Sequence, residues 1–231
     1  RELRKDSPFA RRFKAYLDER FPLLAHGILI LSYYSSNQFL AQVLVHPDRP
    51  VRYGPHSLMG GLAVLCVFFH LRVFDEHKDY AEDCRHHPDR VLQRGLITLR
   101  DLRVLGGAAI VCELAMAGLR GPAALASTLF VLGFSLLMLK EFFVPQWLRA
   151  HFLFYTLSHM LIMPLLSLMV FSFTTRQFPW QAPAYYAVYA FVGFFVTLNW
   201  EISRKIRAPE EEKDGVDSYS KLFGRMGAAA L

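Results

Sequence analysis

The chain has 231 residues, of which 53% are hydrophobic and 20% are charged, and its formal net charge is +6. Long apolar runs at this composition are unusual for a soluble domain and indicate a membrane protein. The three cysteines, Cys66, Cys84 and Cys112, are far apart and form no CxxC pair, so neither a disulfide framework nor a zinc site is expected.

The first predicted element is an amphipathic helix within residues 1–20. It has an N-cap signal at Asp6 and an early proline at Pro8. Its apolar side chains share one face, with Arg and Lys opposite: Phe9, Phe13, Tyr16, Leu17. We expect this helix to lie in the membrane interface before the chain enters the bilayer at Pro22. A solvated cap helix is the alternative.

Residues 21–231 are predicted to form one transmembrane domain. A span needs about 20 mostly apolar residues, and six segments qualify: roughly Phe21–Val45, Ser57–Phe74, Leu102–Leu119, Pro122–Leu139, Phe152–Phe173 and Ala182–Trp200. They are apolar on all faces, which argues against a soluble bundle. We therefore predict an all-α, polytopic transmembrane bundle. Arg225–Leu231 is similar to the opening of a seventh span, so we expect the natural protein to continue beyond it.

The distribution of Lys and Arg predicts the orientation of the spans. If the N-terminus is cytoplasmic, 22 of the 26 Lys and Arg residues lie in inside segments. The outside segments hold four: Arg49, Arg52, Arg120 and Arg176. This asymmetry follows the positive-inside rule, so the N-terminus and both acidic clusters described below are expected in the cytoplasm. It also argues against nucleic-acid binding, because the cations mark the side of the loops.

The second span ends in a run of acidic side chains. Asp75, Asp79 and Asp83 are spaced by four residues, and Glu76 precedes Asp79 by three. On a continuing helix all four project within one sector and repel one another, unless a hard cation binds between them. Mg²⁺ prefers one or two carboxylates together with water and substrate phosphate oxygens. The cluster therefore predicts catalytic metal ligands, with Lys78 beside them for the phosphate; a solvated acidic helix end is the alternative.

A second charged cluster follows the sixth span, on the same predicted side of the membrane. It combines Glu201 with Arg204 and Lys205. Its other candidate metal ligands are Glu210, Glu211 and Asp214. Carboxylates interleaved with cations can chelate a metal and also neutralise diphosphate oxygens directly. A charged juxtamembrane loop is the alternative.

Three residues inside the predicted spans are candidate substrate contacts. Asn37 and His159 are polar groups at a depth where an unpaired polar group is costly. Either is predicted to contact the acceptor or a carbocation, with hydrogen bonding between helices as the alternative. Tyr155 offers a ring face that can stabilise an allylic cation.

This layout resembles the UbiA superfamily of intramembrane prenyltransferases, which usually have nine helices and two Asp-rich motifs. Asp75-Glu76-x-x-Asp79-x-x-x-Asp83 is similar to the first motif, NDxxDxxxD, and Glu201 occupies the first position of the second, DxxDxxxD. The stretch from Arg90 to Thr98, which includes Arg94, is similar to RPxxxGxIs, and Lys140 is similar to a basic residue of the family. Arg204 stands at a usual Asp position, so the resemblance leaves Glu210, Glu211 and Asp214 as possible replacements.

The resemblance implies a Mg²⁺-dependent enzyme that ionises an isoprenyl diphosphate in the lipid bilayer and transfers the prenyl group to an unknown acceptor. A terpene synthase of the same superfamily, which cyclises the cation without an acceptor, is the alternative. A divalent-cation transporter is a distant one, because Glu113 is the only acid between Asp101 and Glu141. The DG-x-x-AR signature of a CDP-alcohol phosphotransferase does not occur in the chain.

Overall fold

A computed structural model describes residues 3–212 and 218–230 of the chain. Every regular element in those ranges is helical, which confirms the predicted all-α fold. The α-helices are α1 Phe9–Arg20, α2 Leu23–Val45, α3 Pro55–Lys78, α4 Tyr80–His86, α5 Leu99–Arg120, α6 Pro122–Leu139, α7 Pro145–Ala150, α8 Phe152–Met160, α9 Ile162–Thr175, α10 Ala184–Ser203 and α11 Tyr219–Ala229. Short 3₁₀ turns lie at Glu141–Phe143, Pro179–Gln181 and Pro209–Glu211.

Five segments of the described chain are long and apolar enough to cross a membrane: α2, α3, α5, α6 and the stretch Phe152–Thr175 that combines α8 and α9. They coincide with the first five predicted spans. The sixth predicted span corresponds to α10, which has 20 residues but falls outside this group. Its tyrosines and its polar end at Asn199 and Glu201 make it less apolar than the others.

The fifth predicted span is two helices rather than one, because the chain bends at Leu161 between α8 and α9. Pro164 explains the bend. It has no N–H to donate to the carbonyl of Met160, four residues earlier, and its ring would collide with that carbonyl in a straight helix. Most of α9 is buried in the centre of the bundle, including Leu166, Met169 and Val170.

Helix α1 packs against the loop that joins α4 to α5. Tyr16 is completely buried there, in a cluster with Val91, Leu92 and Ile97. Polar contacts fix the same loop: Arg12 Nη1 donates to the carbonyl of Leu96 over 2.7 Å. The apolar face of α1 thus covers protein, while the position of this helix relative to the bilayer remains a prediction.

Helices α3 and α5 approach closely through glycine. A Cβ atom built on Gly106 of α5 would lie 2.9 Å from Cγ1 of Val73 on α3. Close approach through small residues is a common way to pack transmembrane helices, because apolar side chains gain little by leaving lipid. This contact fixes the end of α3 that carries the first acidic cluster.

A polar group of side chains is buried in the same part of the bundle. His70 Nδ1 lies 3.0 Å from Glu113 Oε2, and His70 Nε2 lies 3.1 Å from Ser135 Oγ. All three residues are completely buried. Glu113, the one acid in the middle spans, is therefore held by a histidine of α3.

Candidate active site

The acidic cluster of the second span lines a cavity of about 400 Å³ at the C-terminal end of α3. Six helices contribute to its wall: α1, α3, α4, α6, α8 and α10. The lining residues are Arg20, Arg72, Asp75, Lys78, Asp79, Asp83, Arg90, Met138, Tyr155, Thr156, His159, Met160, Glu201, Arg204 and Lys205. Six cations and four acids thus meet in one cavity. Asp79 and Glu201, which are far apart in the chain, both face it.

The three aspartates of the first cluster share one side although their helix is interrupted. The prediction of one continuous helix is wrong here, because α3 ends at Lys78 and α4 begins at Tyr80. The bend is small, however: the Asp79 N–H donates to the carbonyl of Asp75, and the Asp83 N–H donates to that of Asp79, each over 2.9 Å. These helix-like bonds preserve the four-residue spacing, so the three carboxylates line the same cavity.

Asp79 has the most perturbed carboxylate of the cluster. Its pKa is raised to about 6: partial withdrawal from water is the largest cause, and the charges of Asp75 and Asp83 act in the same direction against the opposing effect of Lys78. Unlike its neighbours, Asp79 forms no ion pair or side-chain hydrogen bond within the described residues. A cation would relieve the repulsion at this position.

Asp83 holds two guanidinium groups at the cavity. Its Oδ1 lies 2.8 Å from Arg90 Nη1, and its Oδ2 lies 3.4 Å from Arg20 Nη2. Arg20 is the last residue of α1, and its Nε also donates to Glu76 Oε1 over 2.7 Å. The ion pairs join the N-terminal helix to the cavity wall and fix the two arginines in place.

The second cluster contributes a carboxylate and two cations from the end of α10. Glu201 Oε2 lies 2.5 Å from Arg204 Nη2, and Oε1 lies 2.7 Å from Lys205 Nζ. The ammonium of Lys205 also lies 4.6 Å from the ring centre of Phe152 on α8. Glu201 therefore resembles Asp83, in that both carboxylates hold cations at the rim of the cavity.

Lys78 is positioned by an aromatic side chain from the opposite wall. Its Nζ donates to the hydroxyl of Tyr155 over 2.7 Å and lies 3.5 Å from Asp75 Oδ1. The ring of Tyr155 in turn stacks on that of His159, with 4.1 Å between the ring centres. His159 Nδ1 lies 2.8 Å from the carbonyl of Tyr155, so Nε2 is the ring nitrogen left for another partner.

The donor atoms of the cavity suit a hard divalent cation bound partly by substrate. Within residues 3–212 and 218–230, no three His, Cys, Asp or Glu side chains form a preformed metal-binding group. Asp75 and Asp79 carry the carboxylates that are not committed to arginine. Mg²⁺ accepts one or two carboxylates and completes its shell with water and phosphate oxygens, so this pair fits it chemically.

A family model described as the UbiA prenyltransferase family matches residues 39–231, which is most of the chain. The chain belongs to the UbiA prenyltransferase family. Membership and the apolar helices together make it an integral membrane protein. Neither a curated protein nor a solved structure matches the chain.

Several predicted site residues of this UbiA-family protein lie outside the cavity. Glu76 is 1% exposed and does not line the cavity; Arg20 and Arg72, which do line it, bind its carboxylate. Asn37 is also buried, and it bonds to the Tyr33 carbonyl and the Tyr186 hydroxyl. The bond with Tyr186 joins α2 to α10 and matches the alternative of hydrogen bonding between helices, whereas the Tyr33 carbonyl belongs to α2 itself. Four further predicted residues are exposed elsewhere: Arg94, Lys140, Glu210 and Glu211. Asp214 lies outside the described residues.

Two cavity cations were missed by the sequence reasoning, and one of them left a signal. Arg72 lies inside an apolar span, where a charged side chain is costly and usually functional, and it precedes Glu76 by one helical turn. Arg20 gave no such signal, because nothing in the sequence connects it with Glu76, which lies 56 residues later. Only folding of α1 onto the bundle brings it to the cavity.

Proposed function

We propose that this UbiA-family protein is a Mg²⁺-dependent intramembrane enzyme that ionises an isoprenyl diphosphate and transfers the prenyl group to an acceptor. The observation that carries the proposal is the single cavity at the end of α3, where acids from two distant stretches meet six cations. In a purely structural salt-bridge network we would expect Asp79 to be paired as well, whereas it forms no ion pair or side-chain hydrogen bond with the described residues. The family match supports the same class of reaction.

The surplus of cations accounts for diphosphate binding. Lys78, Arg90 and Lys205 face the cavity from three different elements and can donate to diphosphate oxygens from several directions. Their carboxylate partners fix these side chains before substrate arrives. Because fixed charges need no reorganisation as negative charge develops on the leaving group, they lower the barrier for breaking the allylic C–O bond.

Asp75 and Asp79 are the residues that would hold the metal. Bound Mg²⁺ supplies positive charge against the diphosphate oxygens, as Lewis-acid assistance to their departure. Asp83 and Glu201 have a different proposed role, since each already binds two cations. They position those cations and do not bind the metal. The proposed metal ligands are therefore fewer than the acids predicted from the sequence.

The apolar part of the cavity would receive the prenyl chain. Met138 and Met160 line it on the side of the bundle core, next to Tyr155. The Tyr155 ring lies beside the Lys78 ammonium, at 5.3 Å from Nζ to the ring centre, so it is close to the place where diphosphate departs. An aromatic face there favours a carbocation, and the dry surroundings protect the cation from water.

The test is turnover of labelled prenyl diphosphates by the purified protein in lipid. Chains of C10, C15, C20 and C25 would be supplied with Mg²⁺, with and without aromatic and lipid acceptors. Asp79→Asn should lower kcat/KM by about 100-fold or more, the usual cost of losing one electrostatic contact to the transition state. Asp48→Asn is the matched control, because Asp48 is an exposed acid in the loop at the opposite end of α3.

Product analysis also separates the two candidate reactions. Arg204 stands at a position where the family usually has a carboxylate. Because of this departure, cyclisation of the prenyl cation is a second candidate reaction beside prenyl transfer to an acceptor. A hydrocarbon or terpene alcohol formed without acceptor would identify a terpene synthase. A folded wild-type protein that consumes none of the four diphosphates, or an Asp79→Asn variant with unchanged kcat/KM, would overturn both.

We also propose that the cavity opens to the cytoplasm, as the Lys and Arg asymmetry predicts. The natural cysteines make this testable without substitution. Cys84 is exposed on α4 beside the cavity, whereas Cys112 is exposed on the apolar surface of α5. A membrane-impermeant maleimide should label Cys84 in inverted vesicles and leave it unlabelled in right-side-out vesicles. The opposite pattern would reverse the proposed orientation.

A further inference from the structure

A second cavity lies at the other end of the bundle, separate from the candidate active site. Its volume is about 590 Å³. It opens where α3 begins, whereas the acid-lined cavity lies where α3 ends, and the 24 residues of α3 separate the two. At 1.5 Å per residue that is about 35 Å. The two cavities therefore face opposite sides of any membrane that α3 crosses.

The charge of this second cavity is entirely positive. Its lining includes Arg49, Arg52 and Arg120, with His46 and His56 near the mouth, and contains no Asp or Glu. Asp48 belongs to the same loop but does not line the cavity. Among the described residues, four Lys or Arg residues lie at this end of the bundle, and three of them line this cavity. A scattered set of surface charges would not have this distribution.

Arg120 forms the fixed part of the site. It is 8% exposed, and its Nε and Nη2 donate to the carbonyls of Phe173 and Thr174 at the end of α9. These bonds anchor the guanidinium plane between α5 and α9. Nη1 forms no hydrogen bond with described residues, so a buried cation retains donor capacity beside the cavity.

The floor of the cavity offers one donor and one acceptor without partners. Tyr34 is 1% exposed, and its hydroxyl forms no hydrogen bond with described residues. Gln38 is equally buried; its Nε2 donates to the Arg52 carbonyl over 3.1 Å, but its Oε1 has no donor there. Buried polar groups normally have partners, so two such groups on residues that line a cavity are suited to a polar ligand.

The mouth of the cavity is held open by the loop between α2 and α3. Gln42 binds the backbone of Arg52 twice: its Nε2 donates to the Arg52 carbonyl, and its Oε1 accepts from the Arg52 N–H, each over 2.8 Å. The loop is thus fixed through its main chain. The side chains of Arg49 and Arg52 form no ion pair with described residues and remain free to bind an anion.

We propose that this cavity binds a phosphate ester whose alcohol part carries a hydroxyl group. The three guanidinium groups bind the phosphate oxygens, and arginine matches phosphate geometry well. The hydroxyl donates to Gln38 Oε1, and Tyr34 donates to an ester or phosphate oxygen. Such a ligand is either an anionic lipid with a glycerol headgroup or a soluble sugar or polyol phosphate. The site is independent of prenyl transfer.

Equilibrium binding to the purified full chain tests the proposal with three probes. These are nanodiscs of phosphatidylglycerol, nanodiscs of phosphatidylcholine, and glycerol 3-phosphate in detergent. If the protein binds phosphatidylglycerol but not glycerol 3-phosphate, the ligand is a lipid. If it binds both, the ligand is a soluble phosphate ester. Binding of neither, or equal binding of the two lipids, would overturn the site.

The decisive variant is the double substitution Arg49→Gln with Arg52→Gln, which leaves the main-chain contacts of the loop intact. It should weaken binding at least roughly tenfold, equivalent to about 1.4 kcal/mol. Arg176→Gln is the matched control, since Arg176 is at the same end of the bundle but lines a neighbouring cavity. An equal loss in both variants would mean attraction by bulk charge and would overturn the site.

A second variant tests the hydroxyl contact without changing charge. Gln38→Leu removes the unpaired acceptor, while Gln42 still holds the Arg52 carbonyl. The preference for phosphatidylglycerol over phosphatidate, which has no headgroup alcohol, should then disappear. Unchanged preference in a folded Gln38→Leu protein would refute this part of the ligand assignment.

Discussion

Replacing Gly106 with alanine should push α5 away from α3. The new Cβ would lie 2.9 Å from Cγ1 and 3.2 Å from Cβ of Val73. Carbon atoms pack best about 3.5–4.0 Å apart, so the helices must separate by roughly 0.5–1 Å. Overpacking of this kind costs about 1–3 kcal/mol. The better helix propensity of alanine offsets about 1 kcal/mol of that cost.

Gly107→Ala is the control one residue further along. No atom lies within 4 Å of its Cβ position, so it gains the same helix propensity without a clash. The two variants should therefore differ in stability by about 1–3 kcal/mol. For a protein of this size, each kcal/mol shifts the melting temperature by about 2–4 °C. Thermal unfolding of both variants in the same detergent, followed by tryptophan fluorescence, measures the difference.

The same pair of variants connects packing with the proposed activity. Val73 precedes Asp75 by two residues, so a displaced α3 also moves the acid-lined wall of the cavity. Turnover of prenyl diphosphate should fall in Gly106→Ala and stay at the wild-type level in Gly107→Ala. Equal melting temperatures for the two variants would refute the close approach on which this reasoning depends.

Three further predictions concern the polar groups. Tyr155→Phe removes the 2.7 Å hydrogen bond to Lys78. Because a hydrogen bond to a charged group is worth about 1.5–3 kcal/mol, kcat/KM for prenyl diphosphate should fall about tenfold or more. Glu113→Ala leaves the buried Nδ1 of His70 without the Glu113 carboxylate and should lower the free energy of unfolding by about 1–3 kcal/mol, as measured by thermal unfolding. Glu113→Gln can still accept a hydrogen bond and should lower it less. Removal of divalent ions with EDTA should abolish turnover, and added Mg²⁺ should restore it.

Each of these predictions has an outcome that contradicts it. Wild-type kinetics in a folded Tyr155→Phe protein would show that Lys78 is positioned by other groups. Equal melting temperatures of the two Glu113 variants would show that His70 needs no acceptor there. Full turnover in EDTA would exclude the proposed role of the metal, and the control is the protein's unchanged melting temperature in the chelator.

The fold could be predicted largely because a membrane restricts what a chain can do. An apolar run long enough to cross must be helical, since lipid offers no partner for its main chain. Four predicted spans accordingly coincide with single helices of the required length, and the fifth coincides with the stretch that combines α8 and α9. The bend at Leu161 could have been anticipated from Pro164, whereas the interruption at Asp79 has no comparable sequence signal.

The site was predictable where spacing along one helix decides the geometry. A four-residue repeat places Asp75, Asp79 and Asp83 on one side, and the structure places them in one cavity. Glu76 satisfies the same local rule but is buried behind the cavity lining, where Arg20 on α1 and Arg72 on α3 bind it. Spacing defines the face of a helix and says nothing of partners from distant segments. Asn37 shows the same limit, since its partner Tyr186 lies 149 residues away.

The proline bend in the fifth span separates a segment in the bundle core, α9, from a segment that lines the cavity, α8. Most residues of Ile162–Thr175 are buried, whereas in Phe152–Met160 only Thr156 and His159 are buried. Pro164 deletes the hydrogen bond that would stiffen the joint. We therefore expect any adjustment of the cavity to occur in the shorter segment, which carries Tyr155 and His159, rather than in the centre of the bundle. If the cavity receives a prenyl chain, as proposed above, the chain length it admits would depend on this joint as well as on the side chains that line the cavity.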